Sequence, residues 1–433
     1  MIFSLDVMRA RKGDCLMLHY GAEDDLHHII IDGGPKAVFG PFLKPRLEQV
    51  RTALALPDDP PLDIECLMVS HVDDDHIQGV LDLTKELITR KKEKKPAAVQ
   101  IFNFWHNSFE DIIDATPDEL TAAFSTQSVT ASVGGDPPDD LDLEVEDEDE
   151  ETVVSTVKVL ASIKQGQQLR SDVINALQVN LNAETDGKLI MAQENVEAFD
   201  MGNGLSFRVV GPMLPELQQL QKDHQKWLKE LADQGKTPAD VLSAYVDKSV
   251  PNNSSIVVLA ECDGRKILLT GDARGDKILK GLELTGLVDK GGTFKIDILK
   301  VPHHGSSNNL DNDFFERIHA NHYVFSGNGE HGNPERESLE MLLNARGDEN
   351  YTIHLTYPID EIDTARKAEW EKQQASEKTK QAKNPAKKVR ENWSADKHSL
   401  AAMFAANPDF LKKVSIVAEN EPHMINLLDD PQF

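Results

Sequence analysis

Short apolar runs closed by turns recur through the chain and predict strands: MIFSLDVM at the N-terminus, then CLMLHY, HHIIID and LDIECLMVS. The period then changes. Val80, Leu81, Leu83 and Leu87 lie at helical spacing between Gln78 and Thr89, which predicts a helix starting just after His76. The strand pattern returns in IFNFW, LSFRVVGP (205–212), SSIVVLA, KILLTGD, FKIDILKVPHHGSS and HYVFSG, and again in KVSIVA and HMINLL near the C-terminus. Helices are predicted at 152–179, within 214–234 and across the charged stretch 364–391. The alternation points to an α/β protein. Residues 1–360 form its main domain, with an insertion at 107–198, and 361–433 form a charged helical extension with terminal strands. Leu217, Leu220, Trp227, Leu228 and Leu231 mark a helix face that packs on the body, covers an active site or meets a second subunit.

The chain's 433 residues suffice for a substantial core, although only 39% are hydrophobic. No run is long and apolar enough for a membrane span, and MIFSLDVMRARKGD lacks the order of a signal peptide, so a cytoplasmic protein is expected. Cys15, Cys66 and Cys262 are widely separated and sit in or beside apolar runs, as reduced core residues would.

The formal charge of −28 opposes a protein whose whole surface attracts nucleic acid. That charge is uneven. Eleven acids and no base lie between Asp136 and Glu151, a segment suited to a basic protein partner. RKKEKK at 90–95 and the lysine-rich stretch Lys372–Lys388 oppose it; each suits a phosphate backbone or a solvated helix end, with Trp370 and Trp393 the nearby stacking candidates.

Four predicted strands end in an acid or histidine followed by a turn, so one sheet edge would gather them. Asp32 closes HHIIID; His71, Asp73, Asp75 and His76 follow LMVS; Asp272 closes KILLTGD; His303 and His304 follow DILKVP. Imidazole and carboxylate together suit zinc, with manganese or iron as alternatives. Two adjacent ions could share Asp272 as a bridge and hold a hydroxide nucleophile. Taken alone, HVDDDH has a second, less favoured reading as a polar helix cap, and Asp74 is its most dispensable member as a ligand. GDARGD at 271–276 lacks the GKS or GKT ending of a nucleotide-binding loop.

DGG (32–34), SHVDDDHIQG (70–79), LTGD (269–272) and LKVPHHGS (299–306) together resemble the metallo-β-lactamase superfamily. Within it, the chain is similar to soluble, stand-alone bacterial relatives of the hydrolase domain of the DNA-uptake channel (ComEC-like) family, whose N-terminal DVGQGD-like stretch corresponds to LDVMRARKGD. The resemblance implies an αβ/βα four-layer sandwich over about residues 1–360. It implies that His71 and Asp73 hold a first metal, Asp75 and His76 hold the second or position its water, Asp272 bridges, and His303, or else His304, completes the second. It also implies a further histidine, for which His106 is the candidate, with a polar residue closing a surface turn as the other account of it. Asp32 would support the cluster from behind, as could Ser254, which follows Asn252 and Asn253. His331, in SGNGEHGNPERESLEML, is a candidate proton donor or phosphate ligand, or part of an Asn/Gly turn.

These residues favour a metal-dependent hydrolase acting through a dinuclear site, with Asp75, Asp272 and His331 as catalytic candidates and a phosphodiester in nucleic acid or a nucleotide as substrate. The rivals are ester, thioester or lactam hydrolysis at the same site, and a catalytically silent metal-binding partner protein. The number of possible ligands argues against the last.

Overall fold

The computed structural model describes residues 1–56, 60–108, 112, 165–219, 222, 254–347, 349–419 and 421–433. The acidic segment 136–151, residues 152–164 of the helix expected at 152–179, most of the helix expected at 214–234, and Asn252 and Asn253 lie outside them, while residues 165–177 are helical as expected.

Two mixed sheets face each other. The first has the order β15-β1-β2-β3-β4-β5-β6. It is built from β1 (Ile2–Val7), β2 (Leu16–Ala22), β3 (Asp25–Ile31), β4 (Leu62–Val69), β5 (Val99–His106), β6 (Asn180–Leu181) and β15 (Met424–Asn426). The second has the order β14-β13-β12-β11-β10-β9-β8-β7. Its strands are β7 (Phe199–Asp200), β8 (Leu205–Gly211), β9 (Val257–Cys262), β10 (Arg265–Leu269), β11 (Phe294–Lys300), β12 (Ile318–Phe325), β13 (Thr352–Leu355) and β14 (Val414–Ile416).

Strand alternation assigns the two faces. Leu16, Leu18 and Tyr20 of β2 meet Val258, Ala260 and Cys262 of β9 in a core between the sheets. On the outer face of the first sheet, Cys15 and Met17 pack with α1 (Lys44–Ala53) and α2 (Asp74–Glu93) through residues such as Leu47, Val80 and Leu83. Val257 and Leu259 turn outward from the second sheet. They pack in a third core with α3 (Gly275–Leu284), α4 (Asn312–Arg317) and α5 (Arg336–Arg346). This helix–sheet–sheet–helix order is the expected αβ/βα sandwich. The three cysteines are buried and unpaired with one another.

Three details differ from the sequence expectation. The second helix starts at Asp74, inside the acidic stretch, because Asp74 and Asp75 complement the positive end of the helix. The strand ends that gather the candidate ligands belong to both sheets, since the two parallel runs β3-β4-β5 and β10-β11-β12-β13 end on a common rim. The C-terminal strands are integral to the sandwich, with β15 pairing antiparallel to β1 and β14 extending the second sheet beside β13.

The charged stretch forms α6 (Ile359–Lys383), followed by α7 (Leu400–Ala406) and α8 (Pro408–Leu411). No helix among the described residues is long and apolar enough to cross a membrane.

A file of imidazoles fastens the C-terminal chain to β13. His322 Nδ1 lies 3.0 Å from His354 Nε2, and His354 Nδ1 lies 2.9 Å from His423 Nε2. Burial lowers all three, His354 to about 3 and His423 to about 4, and their mutual proximity reinforces this for His354. Their folded values lie below the ordinary value, so the unfolded chain binds more protons in mildly acidic solution. The stabilisation is complete above about pH 6.5 and declines as the pH falls towards the folded values. Urea unfolding of the wild type and His354→Gln at pH 7 and pH 4.5 checks this: the wild type loses more stability on acidification than the variant does.

Candidate metal centre

The site assembles where backbone is held in shapes that only its neighbours can stabilise. Asp32 has a left-handed φ of 58°, and its turn packs against the first turns of α2. There Gly33 N donates to the His76 carbonyl at 2.8 Å and Gly79 N to the Gly34 carbonyl at 3.0 Å. A Cβ on Gly79 would lie 1.9 Å from the Gly33 oxygen, so this approach requires glycine. On the opposite sheet His303 and His304 are both left-handed, with φ of 49° and 54°, and His303 N donates to the Gly271 carbonyl at 3.1 Å. The loop after β1 closes the third side, bringing Asp14 N within 3.3 Å of the Asp75 carbonyl.

Asp272, 2% exposed, lies at the centre. Its Oδ1 is 3.2 Å from His76 Nε2 and 3.4 Å from His304 Nε2. Its Oδ2 is 3.7 Å from His71 Nε2 and 3.5 Å from His303 Nε2. His304 Nε2 also approaches Asp75 Oδ2 at 3.7 Å, while His71 Nε2 approaches Asp73 Oδ2 at 3.6 Å. One carboxylate therefore divides two half-sites: Asp75, His76 and His304 on one side, His71, Asp73 and His303 on the other. It is His304 that stands beside Asp75 and His76.

Asp73 occupies the N-cap position of α2 without making a side-chain cap bond, and is directed at His71 instead. Asp74 turns away, accepting from Gln78 and Gln165. The bare-cap account of HVDDDH thus fits Asp74 alone.

The donor set fits a metal ion. The Nε2 atoms of His71, His76 and His304, and Oδ1 of Asp272, are buried without a hydrogen-bond partner, an expensive arrangement for polar atoms unless something binds them. Ligands about 2.0–2.2 Å from a shared ion in tetrahedral geometry stand roughly 3.4 Å apart, which the nitrogen–oxygen separations around Asp272 match. Asp14, His76, Asp272 and His304 each offer an atom within 4.8 Å of the others.

Electrostatics favours cations here. Burial works against the charge of Asp272, yet His303, His304 and His76 hold its carboxyl well below the usual range. Burial likewise opposes a proton on His76, but Asp272 and Asp32 raise it well above the ordinary imidazole value. A field that favours a proton favours a metal ion in its place.

Each imidazole is aimed from behind. Asp32 Oδ2 is 2.8 Å from His76 Nδ1, and Asp32 also accepts from Ser70 N and Oγ, both at 2.7 Å. Ser70 Oγ is 3.0 Å from His71 Nδ1, and Asn309 Oδ1 is 2.9 Å from His303 Nδ1. Ser326 Oγ is 3.0 Å from His304 Nδ1 and donates to Asp14 at 2.6 Å, while Asp14 is itself 3.3 Å from that nitrogen. Partners of this kind select the tautomer that leaves Nε2 as a lone pair facing inward.

Asp14 is close enough to serve as a ligand, but its oxygens are already engaged, one by Ser326 and His304 and the other by buried Lys300 at 2.5 Å. Burial opposes its charge, and Lys300 with His304 nonetheless keeps its carboxyl far below the ordinary range. We therefore place Asp14 behind His304. Asp14, Lys300, Ser70, Asn309 and Ser326 escaped the sequence reading; the signal for the first two lay in RKGD and LKVPHHG, where each follows or closes a strand.

The remaining candidates border the cage. His106 is buried at the end of β5, in register with Val69, and a Cβ on Gly166 would lie 3.0 Å from Val72 and 3.7 Å from His106 Nε2. Ser254 is buried ahead of β9, where Ile256 N donates to the Ser70 carbonyl at 2.8 Å. His331 is exposed on a loop tied to the cage by Asn333 Nδ2, which donates to the His303 carbonyl at 3.3 Å.

The Asp14–Lys300 pair yields a stability prediction. Asp14→Asn leaves a buried ammonium without its counter-charge and is expected to cost about 3–5 kcal/mol. Adding Lys300→Met recovers most of that loss in urea unfolding; equal stability of Asp14→Asn and wild type would show that the pair is not held as described.

Comparison with known proteins agrees with this architecture. Residues 17–160 match the Metallo-beta-lactamase superfamily. The chain is 32% identical to rat microtubule-associated protein 1A over 143 residues, and 31% identical to the human protein over 140, covering 32% of this chain and 5% of each relative. It is 31% identical to ComE operon protein 3 of Bacillus subtilis (strain 168) over 121 residues, 26% of this chain and 14% of that protein.

Proposed function

We propose that this chain, which has the metallo-β-lactamase superfamily fold and a distant relative in ComE operon protein 3, is a metal-dependent hydrolase of phosphodiesters. The observation that carries this reading is the division of Asp272: its two oxygens face two different sets of buried imidazole and carboxylate groups.

In this reading His71, Asp73 and Asp272 hold one ion, with His303 and His106 as its further candidate ligands, and Asp75, His76, His304 and Asp272 hold the other. Bound there, two divalent ions lower the pKa of water and stabilise charge on a transferring phosphoryl group; zinc is the first choice for this donor set and manganese the second. The protein's own part is orientation and charge. Asp32 and Asp14 fix the rings of His76 and His304, Asp75 positions the attacking water, and Asp272 keeps the two half-sites in register.

The rim suits an anionic substrate. Lys12 is half-buried in the loop that closes over Asp75, one residue from Gly13, whose Cβ position would lie 1.8 Å from the Asp75 oxygen. His331 sits at the edge of the cage, able to hold a proton for the leaving oxygen.

The test is turnover of bis(p-nitrophenyl) phosphate by chelator-stripped protein resupplied with zinc or manganese, beside an Asp272→Ala control. Metal-dependent turnover that disappears in the control is expected. A silent wild type that cleaves nitrophenyl esters instead would transfer the site to acyl substrates.

A second prediction concerns His331. Nitrophenolate leaves without a proton, so His331→Gln spares the activated diester but slows an unactivated dinucleotide by roughly 100-fold. Equal rates on the dinucleotide would remove His331 from the reaction.

A further inference from the structure

The charge of this protein changes sign at RKKEKK (90–95), where Arg90 and Lys95 are paired with Glu86 and Glu93, and over a longer stretch near the C-terminus. Between Lys372 and Arg390 there are seven cationic side chains and a single acid, Glu377, in a chain whose net charge is −28. Lys372, Lys378, Lys383, Lys387 and Lys388 are exposed. Lys372, Lys380 and Lys383, eight and three positions apart, lie on one side of α6.

Two bland accounts fall short. Complementing the helix dipole requires cations only in the last turn, where Lys380 and Lys383 lie, whereas Lys387 and Lys388 continue beyond the helix end at Lys383. Local ion pairing explains Lys367, 3.8 Å from Glu371 within the helix, and Arg390, which reaches Glu377 from the return chain, but among the described residues Lys372, Lys383, Lys387 and Lys388 have no acidic partner.

The surface is also built to project. Only Ile362, Arg366 and Gln374 of this 25-residue helix are buried, and its distal half is braced by its own return chain. Gln381 donates to the Lys387 carbonyl at 2.9 Å, Gln374 to the Arg390 carbonyl at 3.0 Å, and Arg390 to Glu377. The cations therefore stand on a stiff hairpin.

Its root lies at the metal cage. The first turns of α6 pack so closely on Gly329 that a Cβ there would meet the Ile362 oxygen at 2.2 Å. Arg366 donates to the Gly332 carbonyl at 3.1 Å, and the same loop carries His331 and Asn333, which holds the His303 carbonyl.

We propose that the α6 hairpin is a docking arm for the phosphate backbone of a nucleic-acid strand, so that the site takes polymeric rather than small phosphodiesters. This rests on the phosphodiester reading of the site. Charge complementarity selects the occupant: the Lys372–Lys383 face spans about 16 Å, several phosphates of a strand, and it stands on a chain whose net charge of −28 disfavours a polyanion over most of the rest. Contact is to phosphates, so sequence preference is expected to be weak.

The experiment uses the full chain loaded with zinc and a fluorescent 20-nucleotide DNA, single-stranded and duplex. Binding is measured from 50 to 200 mM salt for the wild type, for a Lys372→Glu/Lys383→Glu/Lys387→Glu/Lys388→Glu variant, and for the corresponding four Lys→Arg changes. The glutamate variant is expected to bind at least tenfold more weakly at 50 mM salt and to lose about three from the log–log salt slope, while the arginine variant binds as the wild type.

All three should hydrolyse bis(p-nitrophenyl) phosphate equally, since that substrate is too small to reach the arm. Unchanged DNA binding in the glutamate variant overturns the arm, even with the small diester still cleaved. Absence of DNA binding by the wild type overturns it too, and leaves an acidic polypeptide as the polyanion to test. Arm-dependent DNA binding without turnover of the small diester would instead sink the hydrolase reading and leave the arm standing.

Discussion

Everything around the site answers one electrostatic problem: a fully buried carboxylate, Asp272, with four imidazole nitrogens and two further carboxylates about it. Taken out of water, such groups are tolerated only when each is paired or binds a cation. The answer here has two shells. Inside, the Nε2 atoms of His71, His76 and His304 point towards Asp272; outside, Ser70, Asp32, Ser326 and Asp14 hold the opposite ring nitrogens. Lys300 then supplies the buried positive charge that lets Asp14 remain ionised.

That arrangement explains where the backbone is unusual. Left-handed residues cluster at Asp32, His303 and His304, and the Gly33–Gly79 approach allows no side chain. Strained or crowded backbone persists where surrounding contacts over-determine it. In this fold those contacts come from both sheets: α2 seats the Asp32 turn, and Gly271 receives the His303 amide.

The sandwich and the cage are coupled through strand direction. Parallel strands within each sheet deliver their C-terminal ends to the same rim, so each strand contributes a loop and each loop contributes a candidate ligand or its support. The N-terminal strand joins by a different route, ending in the RARKGD loop that brings Asp14 to His304. The same rim holds the root of α6, where Arg366 donates to the Gly332 carbonyl, while the basic residues lie on the helix's distal half.

Most strands, the long helices α2 and α6, and the chemical character of HVDDDH, LTGD and VPHHG were determined by the sequence alone, because period and residue type are local properties; the shorter helices between the strands carried no comparable signal. The order of motifs also pointed to the right sandwich. What only the tertiary structure decided is how these pieces address one another. Consecutive histidines at 303 and 304 are chemically identical in a sequence, but successive left-handed residues send one to each oxygen of Asp272. Asp74 is the expected non-ligand of HVDDDH, but only packing shows where the carboxylates go, turning Asp73 to His71 and Asp74 to Gln78. Asp14 and Lys300 lie 286 positions apart, and although RKGD and LKVPHHG mark the two segments, neither says that the two side chains pair with each other. Ligand choice and charge balance depend on distances of a few ångströms between distant segments, and those are set by the packing of two sheets against each other.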